Sequence, residues 1–102
     1  MNLEPNFVEF YQNEKRAICY ELYTNEYKFE PDTVTVKVFK GNVKVDEKTA
    51  LVFNNKMCVL IDTTVTKNTG EYIVEWKLEK NDPTLNDTEI FYKKTRLVIR
   101  KL

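Results

Sequence analysis

Histidine is absent from this 102-residue chain, and glycine occurs only twice. The first absence excludes every Ser/His/Asp and Cys/His arrangement and every His-ligated metal centre. The second excludes a phosphate-cradling glycine-rich loop. Two cysteines without a histidine make a poor zinc site, and neither sits in a Cys-x-x-Cys pair. Net charge is missing as well, since Lys and Arg total 16 and Asp and Glu total 16. Nothing therefore draws the chain in bulk to nucleic acid or to an anionic membrane. No apolar run is long enough to span a bilayer. The opening "MNLEPNFVEF" has neither the basic start nor the apolar core of a secretory signal. The expectation is synthesis in a cytoplasm, with Cys19 and Cys58 as reduced, buried thiols serving as small core hydrophobes.

What is present suits one ordered domain. Apolar residues make up 42% of the chain, and a chain of this size buries roughly two thirds of its unfolded surface. The apolar pattern has period 2 nearly throughout. Val34, Val36 and Val38 alternate with Thr35 and Lys37, and Tyr72, Val74, Trp76 and Leu78 alternate with Ile73, Glu75 and Lys77. Alternation rich in β-branched and aromatic residues predicts half-buried strands. These are placed at residues 6–11, 15–24, 33–39, 43–47, 49–53, 57–65, 71–80 and 88–100. The separators agree with that division. "KGN" at 40–42 is a tight hairpin turn, and "NNK" at 54–56 offers two asparagines that tolerate the left-handed region. Pro31 marks a connection, because proline cannot donate to a central ladder. Seven or eight short strands without βαβ crossovers predict an all-β, mainly antiparallel sandwich. Residues 1–13 form an arm and first strand, and 14–102 form the sandwich body. Residues 1–5 alternate too little to count as a strand.

Lys67 to Lys80, "KNTGEYIVEWKLEK", is the most informative stretch. Asn68-Thr69-Gly70-Glu71-Tyr72 has the spacing of the corner that opens the sixth strand of immunoglobulin-like sandwiches. The resemblance implies that Gly70 lets the chain turn and that the Tyr72 hydroxyl turns back to the backbone. Gly70, Tyr72, Val74 and Trp76 are thus expected at the corner and in the core. Asn68 stands where Asp is usual, Val74 where the second cysteine would be, and Trp76 follows Cys58. The antibody pattern is not met, and Cys19 and Cys58 are not expected to pair.

A second resemblance covers about residues 15 to 100. "RAICYELYTNEYKFEPDTVTVKVFKG" followed by "TGEYIVEWKLEK" resembles small immunoglobulin-like proteins of tailed bacteriophages. Their strands carry Tyr-Glu-Leu-Tyr, Pro-Asp-x-Val-x-Val-x-Val and Gly-x-Tyr-x-Val-x-Trp. Such domains occur in baseplate, tail, neck and head-decoration proteins. The excess of lysine, 13 against 3 arginines, and the frequent asparagine also suit an AT-rich bacterial or phage genome.

Carboxylate pairs, Asp82 with Asp87 and Glu71 with Glu75, read as solvated charges, because short loops leave little room for a glycosidase cleft. The Asp-x-Asp-x-Asp spacing of a Ca²⁺ loop is absent. The many Phe and Tyr rings, including Tyr20, Tyr23, Tyr27 and Phe29, read as core residues before they read as a base-stacking platform. The basic end "KKTRLVIRKL" reads as a last strand with edge lysines, or as a basic edge that docks on an acidic neighbour. Phe7, Phe10, Lys93, Lys94, Arg96 and Arg100 are the candidate assembly contacts.

The expected function is a non-enzymatic structural protein of a tailed-phage virion, made in the bacterial cytoplasm and assembled as repeated copies at the neck, tail or capsid. It needs no cofactor. Its partners are other virion proteins, in a symmetric homo-oligomer or ring, with neither membrane nor nucleic acid expected. The alternative is a carbohydrate- or host-surface-binding module, which needs exposed residues such as Tyr27, Phe29 or Leu85. A prophage-derived bacterial protein comes third and an enzyme last.

Overall fold

The computed structural model describes residues 7–22 and 30–102. Among these lie β1 (Phe7–Tyr11), β2 (Arg16–Glu21), β3 (Thr33–Lys40), β4 (Val43–Thr49), β5 (Leu51–Phe53), β6 (Lys56–Ile61), α1 (Thr63–Thr66), β7 (Gly70–Asp82) and β8 (Asp87–Arg100). They form an immunoglobulin-like β-sandwich. One sheet has the order β1-β8-β7-β3-β4 and the other β2-β6-β5. Every pairing is antiparallel except β1 with β8, which is parallel, with Phe7 beside Arg96 and Tyr11 beside Arg100.

The alternation read from the sequence becomes the two faces of each sheet. Val34, Val36 and Val38 of β3, Tyr72, Val74, Trp76 and Leu78 of β7, and Leu97 and Ile99 of β8 turn inward. They meet Ile18 of β2 and Met57, Val59 and Ile61 of β6 in one core. The chain changes sheets at Ala50, which is buried and donates its N–H to the Val34 carbonyl at 2.8 Å. Gly41 turns the β3–β4 hairpin at φ +61°, and Asn54 and Asn55, both at positive φ, close β5 onto β6. Two positive-φ residues between paired strands are the tight turn whose twist matches a hairpin.

Residues 63–65, expected to end a strand, depart from it. The run Thr63-Thr64-Val65-Thr66 is β-branched, yet it makes a helical turn. Asp62 caps it by accepting from the Thr64 N–H at 2.9 Å, and Lys48 from β4 holds the other carboxylate oxygen at 2.8 Å. A cap of this kind satisfies a turn's orphan donors and overrides weak local propensity.

Candidate functional site

The corner assembles as a unit. Gly70 takes φ +136°, a conformation that side chains rarely adopt. The Tyr72 ring is buried and its hydroxyl donates to the Asn68 carbonyl at 2.7 Å. Burial pushes the Tyr72 phenol up from its usual range. Lys40 closes the corner from β3 by donating to the Thr69 carbonyl at 3.2 Å, with its ammonium 5.4 Å from the Tyr72 ring. Two and four residues further along β7, Val74 and Trp76 are fully buried. The Trp76 ring meets Tyr20 edge-on at 5.4 Å between centroids, and its N–H donates to the Thr95 hydroxyl at 3.4 Å. This group is a folding device, built to fix the inter-sheet core.

The candidate assembly contacts do not form one patch. Phe10 is fully buried in the core, with the Arg16 guanidinium 4.0 Å from its ring centre, so no partner reaches it. Alternation along β1 turns Phe10 inward with Val8, and the sandwich closes over it. Phe7 is half-buried on the outward face beneath Arg96. Lys93 turns the other way, 4.7 Å above the Tyr20 ring. Arg96 pairs with Glu71, and Arg100 with Glu9 at 2.6 Å. Lys94 lies exposed beside Glu75. β8 is also not an open edge over residues 96–100, because β1 pairs with it there.

The true edges differ sharply from one another. On β1, the outward Tyr11 N–H donates to Glu14 Oε1 at 2.8 Å, and Arg16 donates to the Glu9 carbonyl. Glu14 and Arg16 join each other at 2.8 Å. The bond from Tyr11 first, then Arg16, holds the Glu14 carboxyl below its usual range. The edge strand is thus closed by its own neighbours. On β4, a register shift opposite Val38 and Phe39 and the charges of Lys44, Asp46, Glu47 and Lys48 discourage pairing. Among the described residues, β5 has neither protection. Among the described edge strands it alone carries no charged residue, and Leu51, Val52 and Phe53 are all exposed, Leu51 at 66%. Leu60 of β6, 41% exposed, extends this apolar surface across the outward face of the three-stranded sheet.

That face also holds the largest departure from expectation. Cys19 and Cys58 are joined in a disulfide. They are directly opposite on β2 and β6, with Cα atoms 4.1 Å apart. Ile18 and Met57 face the core, so the pleat turns both cysteines outward to the same spot. Cys19 is exposed, whereas Cys58 is buried as expected, though outside the cluster that fills the space between the sheets, and neither is a free thiol. The pair ties hydrogen-bonded neighbours within one sheet rather than bridging the two sheets.

The carboxylates are engaged structurally. Asp32 accepts the Asn81 N–H at 2.7 Å, and Asp82 accepts the Thr84 and Leu85 N–H groups of the β7–β8 turn. These bonds, the one from Leu85 foremost, lower the Asp82 carboxyl. With Asp87 they line an open depression of about 550 Å³. Among the described residues, no group of three or more His, Cys, Asp or Glu side chains is placed to hold a metal ion. No helix among them is long and apolar enough to cross a membrane. Tyr23, Tyr27 and Phe29 lie outside the described residues, as do residues 1–6 of the arm. Sequence reasoning missed the disulfide, the Glu14–Arg16 closure and the uncharged β5 edge. The signals were two outward-parity cysteines, a Glu-x-Arg next to a strand, and an uncharged Leu-Val-Phe. No family model matches the chain, and no curated protein or solved structure is significantly similar to it.

Proposed function

We propose that the chain is a non-enzymatic structural component of a tailed-phage virion, present in repeated copies at the neck, tail or capsid. A neighbouring virion subunit docks on the β5 edge and the outward face of the three-stranded sheet. The observation that carries this docking is β5 itself, an exposed apolar edge strand among edges that are charged or closed. Added strands gain backbone hydrogen bonds at such an edge, and pockets for alternate side chains give specificity. Three exposed residues offer a small contact, and repetition around a ring compensates for weak single contacts. The virion assignment is supported by the motif stretches, of which Tyr20 and Glu21 lie on β2, the alternating Val34, Val36 and Val38 on β3, and Gly70 to Trp76 on β7. Mass spectrometry of purified particles tests it. The chain is expected in the particle at a fixed ratio to the other virion proteins, and its absence from particles overturns the reading.

One observation favours a second reading, a host-surface-binding module. Leu85, 66% exposed, projects from the tip of the long β7–β8 hairpin, and Tyr92 is exposed further along β8. A glycan array distinguishes the two readings. Binding that is lost in Leu85→Asp and kept in Leu51→Lys supports the second.

A further inference from the structure

We propose that the Cys19–Cys58 bond is a reversible thiol-exchange site, opened by small-molecule thiols at Cys19 and closed again by small disulfides, with the sandwich folded in both states. Such exchange is independent of the virion reading.

Access is asymmetric. Cys19 is exposed on β2, the outermost strand of its sheet, while Cys58 is 9% exposed on the central strand β6, with Leu51 of β5 on its other side. An incoming thiolate therefore reaches the Cys19 sulfur first. Attack there forms a mixed disulfide on Cys19, breaks the Cys19–Cys58 bond, and leaves the electron pair on the Cys58 sulfur, which takes a proton from solvent. A second thiolate attacks the small molecule's sulfur in that mixed disulfide. It releases Cys19 as a thiolate, which is also protonated, and leaves as the oxidised small-molecule disulfide. Two small thiols are oxidised to one disulfide, and the protein gains two electrons and two protons. Closure is the reverse, with a small disulfide as oxidant.

The fold tolerates both states because the bond lies on the outward face. On the inward face Ile18, Met57, Val59 and Ile61 belong to the core, and backbone pairing along the whole of β2 joins it to β6 independently of the sulfurs. A disulfide acts mainly on the unfolded chain, so opening it removes a constraint without removing a core contact. The register also keeps the two thiols opposite each other after reduction, ready to re-form the bond.

The test uses the full chain, oxidised, in native buffer. Millimolar glutathione is expected to open the bond, giving two alkylatable thiols and a gain of about 2 Da, with the far-ultraviolet spectrum and Trp76 fluorescence unchanged. Glutathione disulfide is then expected to close it. Single variants report the asymmetry. Cys58→Ser should take up glutathione on Cys19, a gain of about 305 Da, and Cys19→Ser should react at least about tenfold more slowly at Cys58. The proposal is overturned if the bond opens only in denaturant, if Cys58 reacts as fast as Cys19, or if the two thiols fail to pair with glutathione disulfide present.

Discussion

The two sheets turn very different faces outward. The five-stranded sheet is patterned in charge. Glu47, Lys37, Glu75 and Lys94 stand in one row across four strands and alternate in sign. Arg96 and Arg100 have their own carboxylates, and the β1 edge is closed by Glu14 and Arg16. The three-stranded sheet has an uncharged edge strand at β5, outward Leu51 and Leu60, and a disulfide across its middle. A sheet whose surface groups find partners within the chain has little left to offer a neighbour. Among the described residues the smaller sheet joins an uncharged edge strand to outward Leu51, Phe53 and Leu60, with Glu21 and Lys56 at one end, and this is the face proposed for docking. The basic residues near the C-terminus stand out in the sequence, but a charge already paired inside the chain is a weak handle.

The greatest loss of stability is expected on the large sheet. Trp76 fills the space between the sheets with no exposure. Trp76→Ala should cost about 3–5 kcal/mol, a threat to folding in a domain whose total is about 5–15 kcal/mol. A fall in the denaturant midpoint measures it. The small sheet should show its weight through the disulfide, which spans 39 residues. Replacing both cysteines by serine should cost about 2–4 kcal/mol on the chain-entropy account. That loss would appear as a lower melting temperature with an unchanged folded-state spectrum.

The joint between the sheets comes next. Asp62 follows β6, caps α1 and is held by Lys48 of β4. Its hydrogen bond from Lys48, then that from Thr64, lowers its carboxyl to about 2 from 3.8. A folded-state value below the unfolded one stabilises the protein above pH 3.8, and this is lost as pH falls towards 2. Asp62→Ala should cost about 1–2 kcal/mol near neutrality, discounted for partial exposure. The difference between wild type and variant should shrink over that acid window, as urea melts from pH 6 to 2 will show. Tyr72→Phe is the smallest of these changes. It removes one hydroxyl bond at the corner and should cost about 1 kcal/mol, read from the urea midpoint with the fold retained.

Legibility in the sequence follows locality. The β3 and β7 strands are readable because each carries its inward set at alternate positions, and the corner because Gly70 and Tyr72 lie two residues apart. The turns at Gly41 and at Asn54-Asn55 announce themselves by composition. Sheet order is not readable. That β8 lies between β1 and β7 depends on Phe7 meeting Arg96 across the whole length of the chain. The partners of Arg96 and Arg100, at Glu71 and Glu9, are equally remote in sequence. The α1 turn is hidden because its β-branched residues favour strand, and only Asp62 with its distant partner Lys48 reverses that preference. The disulfide is half visible. Cys19 and Cys58 each have the parity opposite to their strand's core residues, which puts both outward. Only the adjacency of β2 and β6 makes them partners.

If docking belongs to the small sheet, variants of the two sheets must behave differently during assembly. The most direct measurement is the fraction of tagged chain recovered in purified particles for two folded variants, Leu51→Lys with Leu60→Lys and Lys94→Glu with Arg96→Glu. All four positions are at the surface, where single changes usually shift stability by no more than about 0.5 kcal/mol. The first variant is expected to be excluded from particles and the second to enter at the wild-type level. Normal entry of the first with exclusion of the second would contradict docking by the small sheet and return the contact to the charged face of the large one.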